Sequence, residues 1–427
     1  MRKLRPEFVY CIFSGTEALA STLFVILTVY YVTVAKMDPL QLVLVGTVLE
    51  ASYFLFEIPT GVVADAYSRR LSVIIGTIVL GVSRLVIGLV PVFAVILLVE
   101  ALGAVGYAFL SGATEAWLAD EVGEENVGPI LIRSGQINRV VGIAGTIGSV
   151  TLASWQLNLP LLIGGGLGLA MGVFLILFMS EHGFKPALRQ ERNPFPGMVR
   201  TFHQGAGVVR ASTVLIIATL TTALWGISSE GFDRLWEAHL LTNITFPMLG
   251  NLQPVVWFGI IAVSGNLLSL LVTEIYRRRL EHTSRSPRLT TRWLLALNVL
   301  PIITGLGLAW SGNFGLAFGV LMLRNVSSSI HGPLYSTWLI QHIRPEVRAT
   351  VFSMLGQVNA IGQVAGGPGV GAIGKYSSIR AALTASALFY LPAPLMYGWL
   401  VRKEKDDRAA VPVELVETVE LSKSAAD

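Results

Sequence analysis

G-Q-I-N-R-V-V-G-I-A-G-T-I-G, residues 135–148, is matched without gaps 221 residues later by G-Q-V-N-A-I-G-Q-V-A-G-G-P-G, residues 356–369. Six of the fourteen positions are identical, where about one match is expected by chance. The same offset pairs Trp117 with Trp338. Because both copies lie in long apolar segments, the match predicts a chain made of two related halves, each built from helices.

The composition predicts that these helices lie in a membrane. Apolar residues make up 53% of the chain and charged residues 14%, whereas a soluble domain carries about 25% charged residues. Twelve apolar segments are long enough to cross a hydrocarbon core of about 30 Å. They are residues 8–34, 40–63, 71–90, 92–119, 129–153, 159–179, 211–241, 254–276, 293–310, 314–343, 350–373 and 379–401. The predicted fold class is therefore an all-α membrane protein, with twelve transmembrane helices in two pseudo-symmetric six-helix bundles.

The distribution of basic residues predicts the domain organisation and the orientation. The expected units are an N-terminal bundle (1–180), a cytoplasmic central loop (181–210), a C-terminal bundle (211–401) and a disordered cytoplasmic tail (402–427). With the N-terminus inside, the inner segments hold 23 of the 31 Lys and Arg residues and the outer loops hold three. By the positive-inside rule, both termini are cytoplasmic and the protein is a multi-pass protein of the cytoplasmic (inner) membrane.

Several classes of function are disfavoured by what the sequence lacks. The single cysteine allows no internal disulfide, and the six histidines have no metal-ligand spacing, so we expect no metal and no cofactor. No interleaved basic and aromatic patch suggests nucleic acid, and no nucleophile motif suggests an enzyme. Repeated membrane halves are the usual architecture of secondary transporters, with the substrate site between the repeats. The expected partners are a small-molecule substrate, protons and the lipid bilayer, and the expected oligomeric state is a monomer.

Charged residues within the spans are the main candidates for functional groups, because each costs at least about 2.5–3.5 kcal/mol to place in hydrocarbon. Glu17 in S-G-T-E and Glu230 in I-S-S-E occupy related places in the first and seventh spans. We expect both to face a cavity and to bind and release protons; the alternative is a carboxylate that only hydrogen-bonds a neighbouring helix. The set of candidate proton-coupling and substrate residues is Glu17, Glu50, Glu57, Glu230, Asp233, Arg234 and Arg324.

One further grouping follows from the spacing of charged residues along the seventh span. Glu230, Asp233, Arg234 and Glu237 share one face of the seventh span. Arg234 is expected to bridge Glu230 and Glu237, which makes the cluster either a gate and proton relay or a static strut.

The remaining buried charges are assigned by helical rise. Arg84 and Glu100 lie at comparable depths in consecutive spans and are expected to form a buried ion pair. Arg324 is expected to neutralise Glu50, Glu230 or Asp233.

The loop after the second span reads G-V-V-A-D-A-Y-S-R-R, residues 61–70, and resembles the signature G-x-x-x-D-x-x-G-R-R of the major facilitator superfamily. The matching positions are Gly61, Asp65, Arg69 and Arg70; Ser68 replaces the second glycine and Ala66 replaces a common basic residue. The resemblance implies a cytoplasmic conformational latch, in which Asp65 caps a helix of the other half and Arg69 binds Asp120 at the end of the fourth span. The alternative is that these are ordinary positive-inside charges.

Four stretches resemble one branch of that superfamily, the bacterial drug:proton antiporters of the macrolide and tetracycline efflux type. They are F-E-I-P-T-G-V-V-A-D (56–65), G-A-T-E-A-W-L-A-D (112–120), S-S-E-G-F-D-R-L-W (228–236) and the G-Q-x-N stretch of the eleventh span. The resemblance implies proton-coupled export of lipophilic or cationic drugs by alternating access. The alternatives are an uptake symporter, a lysolipid or sugar carrier, and a membrane sensor or enzyme that transports nothing.

Overall fold

The computed structural model describes residues 4–186, 207, 209–210, 212–248, 254–280 and 287–409, and within these ranges all long regular elements are helices, with no strand. The fifteen α-helices are α1 (Pro6–Thr22), α2 (Leu27–Thr33), α3 (Pro39–Ala66), α4 (Arg69–Leu89), α5 (Phe93–Leu110), α6 (Ala113–Val122), α7 (Glu124–Trp155), α8 (Leu159–Phe178), α9 (Thr213–Asn243), α10 (Val255–Leu280), α11 (Pro287–Ala309), α12 (Phe314–His342), α13 (Arg348–Tyr376), α14 (Ile379–Phe389) and α15 (Pro392–Ala409). Most of the predicted central loop and residues 410–427 of the predicted tail lie outside the described residues. Residues 402–409, predicted as part of the disordered tail, continue α15 instead.

These helices form twelve spans, which confirms the predicted fold class, but three spans are broken where the sequence predicts continuous helices. In the first, a 3₁₀ turn over Leu23–Ile26 separates α1 from α2, and the carbonyl of Leu23 accepts a hydrogen bond from the Ser149 hydroxyl at 3.0 Å. In the fourth, α5 and α6 are separated at Gly112, whose φ of +72° is in the left-handed region that favours glycine. In the twelfth, Pro392 starts α15 after a turn, because proline is tolerated in the first turn of a helix and disrupts its interior.

Nine stretches of the described chain are helical, long and apolar enough to cross a membrane by length and composition. The other three spans, α7, α12 and α13, do not reach that hydropathy. Two of them, α7 and α13, carry the duplicated motif with its polar Gln and Asn residues. These three helices are therefore identified as spans by their packing beside the other spans and not by their hydropathy.

The duplication is visible in the packing of the two halves, α1–α8 (the N-half) and α9–α15 (the C-half). Helix α1 packs on α7 as α9 packs on α13, the helices that carry the two copies of the motif. Both contacts depend on glycine, because a Cβ on Gly145 of α7 would lie 2.0 Å from the Thr22 hydroxyl oxygen, and one on Gly226 of α9 would lie 2.3 Å from the Asn359 carbonyl oxygen. Small residues allow this close approach of helices in a membrane.

The hydrophobic core is arranged differently at the two ends of the bundle. We call the end that carries residue 4 and the 67–68 turn the inner end, and the opposite end the outer end. One large cluster at the outer end joins both halves, with Tyr30 and Val43 from the N-half and Phe232 and Val370 from the C-half. At the inner end each half has its own cluster, around Trp117 in the N-half and around Trp338 in the C-half.

The two halves are therefore in contact at the outer end and separate toward the inner end. At the outer end, a Cβ on Gly371 of α13 would lie 3.0 Å from the Leu40 side chain and one on Gly374 would lie 2.8 Å from Pro39. Toward the inner end, a Cβ at Gly61 of α3 or Gly356 of α13 would have no heavy atom within 4 Å. This arrangement leaves a central cavity that is accessible from the inner end.

Candidate functional site

The N-half contributes an acidic cavity of about 690 Å³ to the centre of the bundle. Its walls come from α1, α3, α5, α6 and α7. The polar residues that line it are Ser14, Glu17, Ser21, Glu50, Tyr53, Tyr107, Ser111, Thr114, Glu115 and Asn138. Two of the predicted proton-coupling residues, Glu17 and Glu50, thus face one space. Glu57, about two turns after Glu50 on α3, lies beside Tyr53.

Glu17 forms an ion pair with Arg84 of α4. The Arg84 guanidinium lies 3.3 Å from the Glu17 carboxylate and also donates to the Tyr107 hydroxyl at 3.3 Å. Arg84 is 4% exposed and Glu17 is 15% exposed, so the pair lies at the wall of the cavity with the carboxylate toward the open space. One carboxylate oxygen of Glu17 and one terminal nitrogen of Arg84 have no hydrogen-bond partner in the described chain.

The expected pair between Arg84 and Glu100 does not form. Glu100 instead accepts a hydrogen bond from the Tyr31 hydroxyl of α2 at 2.6 Å. The prediction rested on equal depth in the bundle, but depth does not determine how a helix is rotated about its own axis. The packing turns Glu100 toward α2 and Arg84 toward α1 and the 3₁₀ turn that follows it, where the Arg84 guanidinium carbon lies 5.3 Å from the centroid of the Phe24 ring.

The second ion pair is Glu230–Arg234 on α9, at 3.1 Å, where α9 contacts the N-half. Glu230 is 1% exposed because two helices approach it with glycine. A Cβ on Gly46 of α3 would lie 2.0 Å from the Glu230 carboxylate oxygen and 2.1 Å from Arg234 Nε. A Cβ on Gly367 of α13 would lie 2.4 Å from the Thr47 hydroxyl and 3.3 Å from Glu230 Cγ. Glu230 is therefore enclosed between α3 and α13, where the halves meet, while Arg234 is 31% exposed.

The other charged residues of α9 have separate neighbours. Arg234 does not bridge to Glu237 as expected; Glu237 lies within hydrogen-bonding reach of Thr28 on α2. Asp233 is exposed, and its strongest interaction with an opposite charge is with Arg324 of α12, although the two are too far apart for an ion pair. The Arg324 guanidinium carbon lies 3.5 Å from the centroid of the Phe232 ring, in cation–π geometry.

Arg234 is the electrostatic centre of the site. Besides Glu230, it interacts with Glu50 of α3, Asp233 of its own helix and Glu100 of α5. One guanidinium thus attracts carboxylates from both halves. Of the three partners expected for Arg324, Asp233 is the one that the structure places beside it.

The C-half contributes a second, smaller pocket of about 410 Å³ with a different character. Aromatic rings and uncharged polar groups line it, among them Trp225, Asn298, Ser327, His331, Tyr335, Asn359 and Tyr390. Within it, Tyr335 and Thr222 share a hydrogen bond of 3.0 Å, and the Tyr390 hydroxyl donates to Asn298. No carboxylate belongs to this lining among the described residues. The prediction of site residues contained none of these side chains.

The duplicated motif links the two pockets. Its two asparagines, Asn138 and Asn359, lie one in each pocket. The Asn138 amide hydrogen-bonds the Ser14 hydroxyl at 2.8 Å, while the side-chain oxygen of Asn359 is buried with no partner in the described chain. The repeat that identified the two halves could thus have indicated the C-half pocket as well.

The signature loop lies against the N-half in this conformation, in which the halves are separate at the inner end. The Arg69 guanidinium lies 2.7 Å from Asp120 and donates to the Ala116 carbonyl at 2.8 Å. Arg70 donates through its guanidinium to the carbonyls of Met179 and Ile176. Asp65 is 63% exposed and lies 3.6 Å from Arg69, the first residue of α4 in the same half, whereas the family resemblance implies a partner helix in the other half.

At the outer end, the halves are joined by an ion pair between Asp38 and Lys375, at 3.0 Å. Asp38 also caps α3 by accepting from the Gln41 amide at 2.9 Å. Burial alone would raise the pKa of Asp38, but the hydrogen bonds from Gln41 and Lys375 stabilise the carboxylate and hold the pKa below its usual value. The ion pair is therefore retained at neutral pH.

Comparison with known proteins gives one family and one architecture. The family model described as Major Facilitator Superfamily matches residues 8–367. The uncharacterized MFS-type transporter YxaM of Bacillus subtilis (strain 168) is 21% identical over 402 residues, covering 94% of this chain and 97% of that protein.

Solved structures agree on the fold. The nucleoside transporter NupG has a TM-score of 0.69 at 16% identity, covering 92% of this chain and 98% of that one. A bacterial homolog of the human lysosomal transporter Spinster, in an inward-facing and unoccupied conformation, has a TM-score of 0.71 at 15% identity, covering 93% and 96%. A POT family transporter in complex with 5-aminolevulinic acid has a TM-score of 0.68 at 12% identity, with the same two coverages. At these identities the likeness concerns the fold alone.

Proposed function

The chain belongs to the major facilitator superfamily, and we propose that within it the protein is a proton-coupled exporter of lipophilic or cationic compounds. As a member, it is a multi-pass membrane transporter that carries a small-molecule substrate, and it is not an enzyme. The direction of transport, the coupling to protons and the class of substrate are the proposed part.

The observation that carries the proposal is a pair of carboxylate–guanidinium contacts, one in each half. Glu17–Arg84 lies at the wall of the acidic cavity, and Glu230–Arg234 lies where the halves meet. Both carboxylates come from related places in the repeat. A carboxylate beside a guanidinium keeps its charge at low cost, whereas a carboxylate left alone in a dry site is better protonated. Each pair lies within one half, Glu17–Arg84 between α1 and α4 and Glu230–Arg234 within α9, so a local rearrangement that separates either pair during the cycle would favour proton uptake.

The enclosure of Glu230 couples this chemistry to conformation. Glu230 is sealed by Gly46 and Gly367 only while α3 and α13 are in contact at the outer end. Rocking the halves to an outward-open state would separate these helices and expose Glu230 to the outside. Protons entering there would neutralise carboxylates that hold a cationic compound, so that proton entry and substrate exit alternate.

The lining of the cavity supports an amphiphilic cation as the substrate. Glu17, Glu50 and Glu115 supply negative charge on the N-half side, and Trp225, Tyr335 and Tyr390 supply rings on the C-half side. A positively charged group is attracted by the carboxylates, and its apolar or aromatic portion packs on the rings. Each of the two pockets is in the size range of sites for drug-sized ligands.

The test is transport by the purified protein in liposomes with an imposed pH gradient. We expect uptake of a fluorescent lipophilic cation into vesicles that are acidic inside, with collapse of the gradient by an uncoupler stopping uptake. Whole cells should accumulate more of the dye when the uncoupler is added. Transport that is indifferent to the pH gradient, or accumulation that falls with the uncoupler, would refute export by proton exchange.

A second candidate function is uptake of a neutral polar solute by symport. The uncharged lining of the C-half pocket favours it, because Asn298, Asn359 and the tyrosine hydroxyls can hydrogen-bond a ligand that carries no charge. Competition experiments separate the candidates. In these experiments, candidate ligands compete with a reagent that labels residues of the cavity. Protection by a nucleoside or a sugar, together with no protection by organic cations, would support the symport function.

We further propose that loop 61–70 is a conformational latch. Arg69–Asp120 would hold the loop on the N-half throughout the cycle, while Asp65 would be free to engage the C-half when the inner end closes. Both termini are proposed to be cytoplasmic, since the basic residues cluster at the inner end, and the protein is proposed to act as a monomer in the cytoplasmic membrane.

A further inference from the structure

A lateral groove runs between α1 and α7 on the outside of the N-half, with a volume of about 700 Å³. We call it the lateral groove; its main lining residues are Arg5, Phe8, Ile12, Arg133, Ile137 and Val141. It is distinct from the acidic cavity, with which it shares no lining residue.

Helix α1 separates the two spaces. Glu17 follows Phe8 by nine residues, which at 3.6 residues per turn places their side chains on opposite faces of the helix. Because Glu17 faces the cavity, Phe8 and Ile12 face away from it, and they are 50% and 42% exposed. In a membrane this outward face is in contact with lipid.

The polar groups of the groove are concentrated at its inner end. Arg5 caps the start of α1 and Arg133 lies on α7, and both are exposed without an ion pair in the described chain. Glu7 is the only carboxylate in the lining. Two guanidinium groups and one carboxylate leave a net charge of one positive unit facing lipid.

Arg5 lies at the depth of the lipid headgroups, and Arg133 lies near the inner end of the predicted span 129–153, from which its long side chain can extend toward the headgroups. Helix α7 has 32 residues, or about 48 Å at 1.5 Å per residue, while the hydrocarbon core is about 30 Å thick. Its first turns therefore extend beyond the hydrocarbon, and Arg133 lies in its third turn. From Arg5 to Leu19 the groove follows α1 for about 21 Å, enough for an acyl chain of one leaflet.

From these observations we propose that the lateral groove binds an anionic phospholipid of the inner leaflet, with its phosphate at Arg5 and Arg133 and one acyl chain along Phe8, Ile12 and Ile137. Guanidinium groups suit phosphate because they can donate two parallel hydrogen bonds. Basic pockets between membrane helices on the cytoplasmic side are a recognised setting for anionic headgroups. The bound lipid would support α1, whose other face carries Glu17.

The only cysteine of the chain, Cys11, lies in this groove and provides the probe. The full-length protein is labelled at Cys11 with a small fluorophore and reconstituted in nanodiscs. Dibrominated phosphatidylglycerol or dibrominated phosphatidylcholine is then added at increasing mole fraction. We expect phosphatidylglycerol to quench at a lower fraction, with a preference of about fivefold for each arginine, as follows from about 1 kcal/mol per basic residue near a membrane surface.

The double variant Arg5→Gln/Arg133→Gln should lose this preference, and Arg5→Lys/Arg133→Lys should retain part of it. Arg402→Gln is the matched control, because Arg402 is an exposed arginine on the last helix of the other half. Native mass spectrometry of the unlabelled wild-type protein provides a second measurement, in which phosphatidylglycerol should stay bound after phosphatidylcholine is lost. Equal quenching by the two lipids in the wild-type protein, or an undiminished preference in the glutamine variant, would overturn the proposal.

Discussion

The two pockets that meet at the centre of the molecule come from related halves but differ in chemistry. The N-half cavity contains Glu17, Glu50 and Glu115, whereas the C-half pocket is lined by rings, hydroxyls and amides. What the halves share is packing, with a motif asparagine in each pocket. The comparison indicates that duplication preserved the helix contacts while the side chains facing the cavity diverged, so that charge and aromatic surface are supplied from opposite sides.

The largest effect is expected from removing the charge of the N-half cavity. Glu17→Gln keeps the shape of the side chain but cannot form the ion pair with Arg84 or bind a proton. We expect complete loss of transport driven by a pH gradient in liposomes, with normal insertion into the membrane. Glu125→Gln, at an exposed glutamate near the inner end of α7, is the matched control. Undiminished gradient-driven transport by Glu17→Gln would show that the difference between the pockets is unrelated to coupling.

The next largest effect is expected at the contact between the halves. Gly46→Ala places a methyl group about where Glu230 and Arg234 lie, so α3 must move away or the ion pair must break. Overpacking of this kind costs about 1–3 kcal/mol, and we expect a lower melting temperature together with reduced transport.

The matched control for this change is Gly369→Ala on α13, where a Cβ would have no heavy atom within 4 Å. It should leave both thermal stability and transport close to those of the wild-type protein. Equal melting temperatures for the two alanine variants would contradict the enclosure of Glu230.

A moderate effect is expected in the C-half pocket. Trp225→Ala removes a ring that lies 5.4 Å from the Tyr390 ring, and aromatic contacts of this kind contribute about 0.5–1.5 kcal/mol beyond burial. We expect the KM for aromatic cations to rise by about two- to tenfold while the dependence on the pH gradient is unchanged. Trp155→Ala, at a site that is 77% exposed, serves as the control. If Trp225→Ala changed the dependence of transport on the pH gradient and left the KM unchanged, the C-half pocket would also take part in proton coupling.

The smallest effect is expected at the outer ion pair. The pKa of Asp38 is held below its usual value, so the pair with Lys375 is present above the ordinary pKa of an aspartate, about 3.9, and is lost only as the pH falls through the lowered value. Acidifying the outside from pH 8 to pH 5 should therefore not open the outer end through this pair. Exposed ion pairs contribute little, and Asp38→Asn should shift the balance of states a few-fold at most.

Labelling of Thr47→Cys from outside, in a Cys11→Ser background, measures opening of the outer end. Thr47 is buried where α3 meets α13, so its reactivity should rise only when the halves separate there. Suppose that the Thr47→Cys, Cys11→Ser protein became reactive between pH 8 and pH 5 while Asp38 was intact, and that adding Asp38→Asn abolished this change. The ion pair would then act as a proton sensor, which would contradict the prediction.

Much of the fold could be predicted from the sequence, because membrane insertion depends on quantities that vary along one dimension. Apolar length predicted twelve spans, and the repeat predicted two halves with Trp117 and Trp338 in equivalent places. The breaks near Leu23, Gly112 and Pro392 were missed because hydropathy averages over many residues. The turn at Leu23 in particular involves a hydrogen bond from Ser149, which is remote in sequence.

Several charged residues of the candidate site were predictable, but their contacts and the uncharged lining of the C-half pocket were not. The cost of burying charge identified Glu17, Glu230 and Arg234, and the local spacing of α9 correctly paired the last two. Arg84 was assigned to Glu100, but it contacts Glu17. Gly46 gave no signal, since a glycine in an apolar helix is ordinary until another helix is found against it.

The sequence by itself determined that this chain lies in a membrane, that it consists of two related bundles and that carboxylates and guanidinium groups are buried within them. These properties follow from composition, periodicity and the cost of charge in hydrocarbon. Only the tertiary structure decided which charges pair, which end is closed and that one pocket is acidic while the other is aromatic. Those outcomes depend on the rotation of each helix about its axis and on contacts between segments far apart in the chain, and neither quantity is encoded in the local pattern of residues.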